Sequence, residues 1–517
     1  MIKYEPVIGL EIHVQLKTKS KMFCACDNSG ESKPPNTTIC PICTGQPGVL
    51  PSINAEAVRL GLLAALALNC KISKESIFER KSYFYPDLPK GYQISQYTTP
   101  LGSGGHLIIT GAGASQRIQL ERVHLEEDTG KLLHEPGQGA SYVDYNRSGT
   151  PLIEIVTRPV LPSPESARIF LQELRLVMRY LNVSDADMEK GHLRCDANIS
   201  LRPNPEYFLE KAGADTAIGL DPKKLYPKTE IKNLNSFRAV ERALEYETRR
   251  QTKLWDDKKA PQVSSTRGWD DKEGETLAQR EKEEQHDYRY FPEPDLAPLV
   301  FDKKSIEKVK LGLGELPDAR RRRLRKQYAL GGYDINILVT YHGLAEYFEK
   351  VISELRAWLT TLNAESGNEE EIWERDRRKL VKTVTNWLVS RLFGLLNEDK
   401  KMIEEIKVTP ENFSELMILI YQHKLNNQSA LSVLKEMYKT GGDPSDIMES
   451  GKMEMLGDAP ELEGLVDGVL KSNPDIVSQY KSGKVNTLQF LIGKVMKESK
   501  GRADAQAVKE LLLLKLK

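Results

Sequence analysis

The sequence predicts an α+β protein, with a strand-rich body over residues 1–295 followed by helices to the chain end. Three observations carry this reading. Five segments spread over the first 236 residues contain short period-two runs. The helix signals among them start at capping residues, Asn54, Ser163 with Pro164 behind it, and Ser236. From Pro292 the pattern turns to helical periodicity, as in LAEYFEKVISEL and KLVKTVTNWLVSRLFGLL.

The first segment, VIGLEIHVQL from Val7, places Ile8, Leu10, Ile12, Val14 and Leu16 on one face and Glu11 with His13 on the other, about 7 Å apart. Alone, such a strand is as well explained by a wet outer face. Next comes Cys24-x-Cys26, thirteen residues, then Cys40-x-x-Cys43, in a loop rich in Pro, Ser and Asn. Two thiolate knuckles of this spacing suit a closed tetrahedral zinc site, structural because four protein ligands leave no open position. The alternative is four reduced thiols in a loop. Residues 54–69 read as an Ala/Leu-rich helix, and SYFYPDLPKGYQISQYTTP from Ser82 gathers five aromatics that shape either a cleft or a sheet edge.

In RIQLERVHLEEDTGK, Gln119, Glu121, Val123, Leu125 and Glu127 alternate with Leu120, Arg122, His124 and Glu126. Neither set is cleanly apolar, so the strand is expected over a polar cavity or at an edge. PLIEIVT from Pro151 sets Glu154 in an apolar run, where a carboxylate is costly without a cation or donors. HLRCDANISLRP offers Arg194, Asp196, Asn198 and Ser200 on one face, and TEIKNLNS sets Glu230 beside Lys232.

Repetition changes the balance. Glu11/His13, Glu126/Glu127, Glu154, Asp196 and Glu230 on five strands describe one sheet face lined with oxygen ligands, which would repel one another unless cations lie among them. Oxygen ligands with one imidazole suit magnesium, or manganese, better than zinc. No Gly-x-x-x-x-Gly-Lys-Ser/Thr loop occurs, and GSGGH at Gly102 reads as a hairpin turn. Phosphate charge would be met by metals and by Arg147, Arg194 and Lys232. No Ser/Lys or Cys/His arrangement suggests an amide hydrolase.

The chain is long enough for two to four domains, and its charge is balanced, 74 Lys+Arg against 74 Asp+Glu, so any basic footprint is local. One is ARRRRLRKQ from Ala319; another is the last 37 residues, with nine Lys/Arg and three Asp/Glu. Each is either an RNA-backbone contact or a solvated face. The start lacks a signal pattern and no apolar run reaches membrane-spanning length, so a cytoplasmic location and no membrane partner are expected.

GLEIHVQLKTKSKMFC, CPIC with QPGVLP, RKSYFYPDLPKGYQISQ, HLEEDTGK, NRSGTPLIEIV, GHLRCDANISLRP, TEIKNLNSF and HDYRYFPEPDL together resemble the GatB family, the B subunits of glutamyl/aspartyl-tRNA(Gln/Asn) amidotransferases. The later stretches, from VTPENFSELM to GKVMKESKGRADAQAVKELL, resemble that family more loosely. The resemblance implies a largely antiparallel, glutamine-synthetase-like cradle over 1–295, a helical domain over 296–408 and a YqeY-like tRNA-binding tail over 409–517. It implies a heterotrimer with an amidase subunit, together with a small third subunit, serving tRNA(Gln), tRNA(Asn) or both. A GatB chain would use ATP and Mg2+ to phosphorylate the tRNA-borne carboxylate before ammonia displaces phosphate. Position by position, Glu11, His13, Glu127, Glu154, Asp196 and Glu230 fall where the family's cation ligands lie, with Glu126 and Glu127 not separated; Glu11, His13, Glu127, Asp196 and Glu230 carry the catalytic role. The cysteines match a knuckle present in only part of the family. PEYFLEKAGADTAIGLDPKKLYPKTE and QREKEEQHDYRYF depart from the family pattern and read as surface insertions. Two other classes remain in view: a tRNA-binding scaffold without metals, which would not need six candidate ligands, and a free-standing carboxylate-amine ligase using free ammonia and no RNA.

Overall fold

The computed structural model describes residues 3–111, 114–134, 140–204, 206–207, 210, 224–281, 288–362, 369–451, 459–499 and 502–516. Most of the first proposed insertion and the middle of the second lie outside these. The chain divides into two compact units, Met1–Asp318 and Ala319–Lys517. The boundary falls beyond the change of texture at Pro292, because short strands at Phe291–Pro292 and Leu299–Val300 still pair with Glu79–Ser82 and Glu75–Ser76.

The first unit is built on a ten-stranded sheet. Its site-bearing strands are β1 (Tyr4–Gln15), β2 (Ala114–Glu127), β3 (Pro151–Thr157), β4 (Leu193–Pro203), β5 (Thr229–Lys232), β6 (Ser265–Asp270) and β7 (Glu275–Glu281). They lie in the order β7-β6-β5-β4-β1-β3-β2, continued by Gly102–Ser103 and Lys71–Ile72, with His106–Gly111 also on β2. The pairings are antiparallel except β5 with β6, which is parallel. The sheet is therefore mixed, with the antiparallel expectation met except at that one joint.

Period-two alternation sends one face of β1, β3 and β4 into the core. Ile8, Ile12 and Val14 of β1, Ile153 and Ile155 of β3, and Ala197 and Ile199 of β4 are fully buried. Three helices supply the apolar partners: α1 (Ala55–Ala67), α2 (Pro164–Tyr180) and α3 (Phe237–Asp256). Each starts where its cap predicts. Asn54 accepts from the N–H groups of Glu56 and Ala57, Ser163 Oγ from Ser166 N and Ser236 Oγ from Ala239 N. The helices cover one side of the sheet, which leaves the Glu11/His13 side for chemistry.

GSGGH is not a hairpin turn. Gly102–Ser103 and His106–Gly111 both pair with β2 and run along it in succession. Gly104 and Gly105, at φ +63° and +97°, form the irregularity between them. A Cβ on Gly105 would meet Leu68 O at 2.6 Å, so this residue must be glycine.

The second unit is helical. Its last part packs Val466, Val469, Leu491, Val495, Val508 and Leu512 into one core. Gly441 closes the helix Asn427–Thr440 in the left-handed conformation, and Asp443 caps the next helix, Pro444–Ser450. In the helix holding ARRRRLRKQ, Arg320 pairs with Glu346 and Arg323 with Glu349, so part of that charge is balanced internally. No helix among the described residues is long and apolar enough to cross a membrane.

Phe170 of α2 is completely buried in the core, whereas Phe84 is 92% exposed. Phe170→Ala should cost the first unit about 3–5 kcal/mol, and Phe84→Ala within about 0.5 kcal/mol. Urea unfolding followed by tryptophan fluorescence checks both.

Candidate active site

Strand register assembles the polar face. Glu154 of β3 lies opposite His13 of β1 on one side and His124 of β2 on the other. Glu11 lies opposite Asp196, and His13 opposite Arg194. Glu126 reaches the same place from the end of β2. His13 Nε2 is 3.3 Å from Glu126 Oε1 and 3.4 Å from Glu154 Oε2. His124 Nε2 is 3.6 Å from Glu126 Oε2 and 3.5 Å from Glu154 Oε2. Ser95 Oγ donates to Glu126 at 3.1 Å.

Two overlapping ligand triplets result, Glu11/His13/Glu154 and His124/Glu126/Glu154, each with its ligand atoms within 4.8 Å of one another. Glu154 is common to both. Burial works against both charge types here, and the pairing overrides it. Desolvation would lower His13 and His124, but Glu126 and Glu154 hold His13 well above the ordinary imidazole range and bring His124 to about 9. Burial would raise Glu126 and Glu154, but the two imidazoles keep both below the usual carboxylate range. Glu11 is raised, by burial first and then by Glu154. Without a metal, protons on the histidines balance the cluster's negative charge; a divalent cation can take over that role, and carboxylates with imidazole are the donor set that fits magnesium or manganese.

The outlying candidates fall into three groups. Lys232 Nζ bonds Asp196 Oδ2 at 2.8 Å and lies 3.3 Å from Glu230 Oε1, so these three form one knot on β4 and β5. Arg147 and Arg194 meet at Asp128, with Arg194 Nη2 2.5 Å and Arg147 Nε 3.5 Å from its Oδ2. Glu127 is a correction. It is not brought to the cluster, because successive side chains leave a strand on opposite faces. Its carboxylate is bound by Lys90 and accepts from Ile94 N at 3.0 Å. Glu126 is the one that meets the histidines.

Sequence reasoning passed over His124, although it shares its alternation set with Glu126. It also missed Asp128 and Lys90, which carry no periodic signal. The aromatic-rich loop does contribute a wall, with tyrosines from HDYRYFPEPDL. Tyr97 and Tyr290 stack at 4.4 Å, Tyr83 and Tyr288 meet edge to face, and Lys81 lies 4.9 Å from the Tyr288 ring centre. Burial opposes the charge on Lys81, but Glu126, Tyr290 and Glu154 raise its affinity for the proton.

The four cysteines also converge, their sulfurs within 4.8 Å of one another. Cys43 Sγ accepts from Cys40 N at 3.2 Å and lies 3.8 Å from Nζ of the fully buried Lys21. A bond from Cys24, with the Cys40 N–H and Lys21 assisting, lowers the Cys43 thiol to about 5. Its bond to Cys43 pushes the Cys24 thiol up, and burial raises Cys26 to about 11, so the favoured thiolate is that of Cys43; four sulfurs this close fit a tetrahedral metal.

Comparison with known proteins gives the family. Residues 6–307 match the model described as GatB/GatE catalytic domain, and residues 370–516 match the GatB domain. A protein of Carboxydothermus hydrogenoformans, named as the B subunit of aspartyl/glutamyl-tRNA(Asn/Gln) amidotransferase, is 42% identical over 519 residues, covering 100% of this chain and 99% of the relative. Proteins of the same name from Thermotoga maritima and Dehalococcoides mccartyi are 44% and 45% identical, each over 99% of this chain and 98% and 99% of the relative. The chain belongs to the GatB family. The resemblance read from the motifs is borne out across the whole chain. Membership makes this GatB chain part of a tRNA-dependent amidotransferase, an enzyme of protein biosynthesis.

The raised imidazoles set a pH dependence. Their ion pairs with Glu126 and Glu154 contribute fully below an unfolded imidazole value of about 6.5, and His124's share is lost as pH rises through about 9. A cation needs the neutral imidazoles and so competes with protons. Apparent Mn2+ affinity should therefore climb between pH 6.5 and 9, by up to about tenfold per unit for each proton displaced. Calorimetry in buffers of different ionisation enthalpy should record the released protons; a flat profile would exclude the histidines as ligands.

Proposed function

We propose that the chain activates the side-chain carboxylate of glutamate on tRNA(Gln), of aspartate on tRNA(Asn), or of both. It does so within a heterotrimer whose other members are an amidase subunit, which releases ammonia, plus a small third subunit. The observation that carries this reading is the Glu154-centred cluster, on a strand face left uncovered by the helices, in a chain related over its full length to amidotransferase proteins.

A carboxylate is a poor acyl donor because its leaving group would be oxide. Its oxygen therefore bonds the γ-phosphorus of ATP and ADP departs; ammonia from the amidase partner then adds to the carbonyl carbon, phosphate leaves with the C–O bonding pair, and nitrogen loses a proton. Magnesium, when bound, offsets charge on the transferring group. Glu11, His13, Glu126 and Glu154, joined by His124, are the ligands we assign to it, with Asp196 and Glu230 adjoining. Glu11 and Asp196 face one another across β1 and β4, where a second cation would relieve their repulsion. Arg147, Arg194 and Lys232 meet the phosphates. Lys232 also pairs with Asp196 and Glu230.

The mixed sheet with a single helix-covered side supports a glutamine-synthetase-like cradle. Residues 409–517 are the proposed tRNA-binding tail, and the charge balance of the final 37 residues supports contact with a phosphate backbone. Cys24, Cys26, Cys40 and Cys43 would hold one structural zinc, and the enzyme would work in the cytoplasm.

Two measurements test this. Asp196→Ala, in the complex with its partner subunits, should reduce ATP cleavage with glutamyl- or aspartyl-tRNA by roughly a hundredfold or more and leave tRNA affinity within about twofold; full activity would remove Asp196 from the site. Metal analysis should find one zinc per wild-type chain and none in Cys43→Ser, with unfolding of the first unit at lower temperature. Wild-type protein without zinc would end the knuckle assignment.

A further inference from the structure

A second charged assembly lies just beyond the end of β2. Asp128 is buried, and its Oδ2 receives Arg194 Nη2 at 2.5 Å, Gln15 Nε2 at 3.1 Å and Arg147 Nε at 3.5 Å. Its Oδ1 accepts from Thr129 N at 2.8 Å. The main chain is held as well, with Asp128 N donating to Thr150 O at 2.8 Å and Gly149 N to Asp128 O at 2.9 Å. Neither the backbone nor the carboxylate of Asp128 is free to turn.

The two guanidinium groups are held differently. Arg147 is anchored, donating from Nε to Thr129 O at 3.0 Å and from Nη2 to Gly130 O at 2.6 Å. Among the described residues, Arg194 is held only through Nη2. Its Nε is buried and has no partner among the described residues, a donor for which an acceptor is missing. Arg194 lies opposite His13, on the face that carries the carboxylates. One carboxylate between two guanidiniums leaves a charge of +1, which favours an anion.

We propose that Asp128 is a positioning residue that fixes Arg194 and Arg147 as a clamp for a phosphoryl oxyanion. This rests on the reading of the chain as the ATP-dependent activating component. Arginine suits the task because its planar fork matches two oxygens of one phosphate. Asp128 answers two difficulties at once. It keeps two like charges together before the ligand arrives, and it prevents Arg194 from turning onto Glu126 or Asp196, the carboxylates that act on it most strongly after Asp128. Without Asp128, Arg194 would neutralise the groups assigned to the cation. The oxyanion has two sources, the terminal phosphate of the nucleotide and the inorganic phosphate released on amidation.

The test uses the full chain in complex with its partners. Equilibrium binding of inorganic phosphate should weaken by roughly tenfold or more in Asp128→Asn and in Arg194→Met, the scale of a lost charged hydrogen bond. The double variant should be only slightly weaker than Arg194→Met, because Arg147 keeps its anchors on Thr129 and Gly130 and Asp128 acts chiefly through Arg194; losses that multiply would overturn the proposal. The KM for MgATP should rise in Asp128→Asn while tRNA affinity stays unchanged, which a merely structural role would not produce. A rise in KM alone assigns the clamp to the nucleotide, and weakened phosphate binding alone to the released phosphate. If both are unchanged the proposal fails. Should Asp128→Asn not fold, Arg194→Lys decides: it keeps the ion pair but lacks the fork, so wild-type phosphate binding in that variant also overturns the clamp. Failure of the underlying reading would show separately, as a wild-type complex that cleaves no ATP in the presence of aminoacyl-tRNA.

Discussion

The placement of Glu154 between His13 and His124 is the constraint on which the rest of the first unit depends. Three neighbouring strands must hold one register for a buried carboxylate to meet two imidazoles. A slip of one residue in β3 would turn Glu154 into the core beneath α1 and bring Ile153 and Ile155 to the polar side. The apolar row and the charged row thus enforce each other. Hydrophobic burial fixes which way each strand faces, and the cost of an unpaired buried carboxylate penalises other registers.

Much of this was legible because the pleat has a strict period. The faces of β1, β3 and β4 follow directly from their sequences, as do the three helix starts at Asn54, Ser163 and Ser236. β2 is where the reading failed, and the structure supplies the reason. Pairing with β3 shifts between Val156 and Thr157, whose partners are Arg122 and Leu120, so Glu121 is an extra residue on β2. Leu120 and Val123 are consequently both buried although they have opposite parity. Counting alternation through such a bulge mixes the two faces, which is why Glu126 and Glu127 could not be separated from sequence. Asp128 was invisible for another reason. Its partners Gln15, Arg147 and Arg194 come from three distant segments, and nothing local to HLEEDTGK announces them.

Polar networks in this unit are unequal in kind. Around Glu247 of α3, Arg250, Arg267, Thr276 and Gln251 satisfy both carboxylate oxygens and tie helix to sheet, with Gln251 Oε1 the atom left without a partner among the described residues. Around Arg194 and His124, buried nitrogens likewise have no partner among the described residues. What sets the second group apart is its position, on the strand face that carries the carboxylates.

Glu126 and Glu127 are adjacent yet belong to different neighbourhoods. Glu126 belongs to the histidines; Glu127 belongs to Lys90, whose backbone and stem press on the cysteine loop so closely that a Cβ on Gly45 would come within 2.5 Å of Lys90 Cγ. The end of β2 therefore faces the histidine cluster through Glu126 on one side and, through Glu127 and Lys90, the cysteine loop on the other. Loosening the thiolate loop would withdraw support from behind Lys90, and the strand end would lose its alignment without any ligand of the histidine cluster having changed.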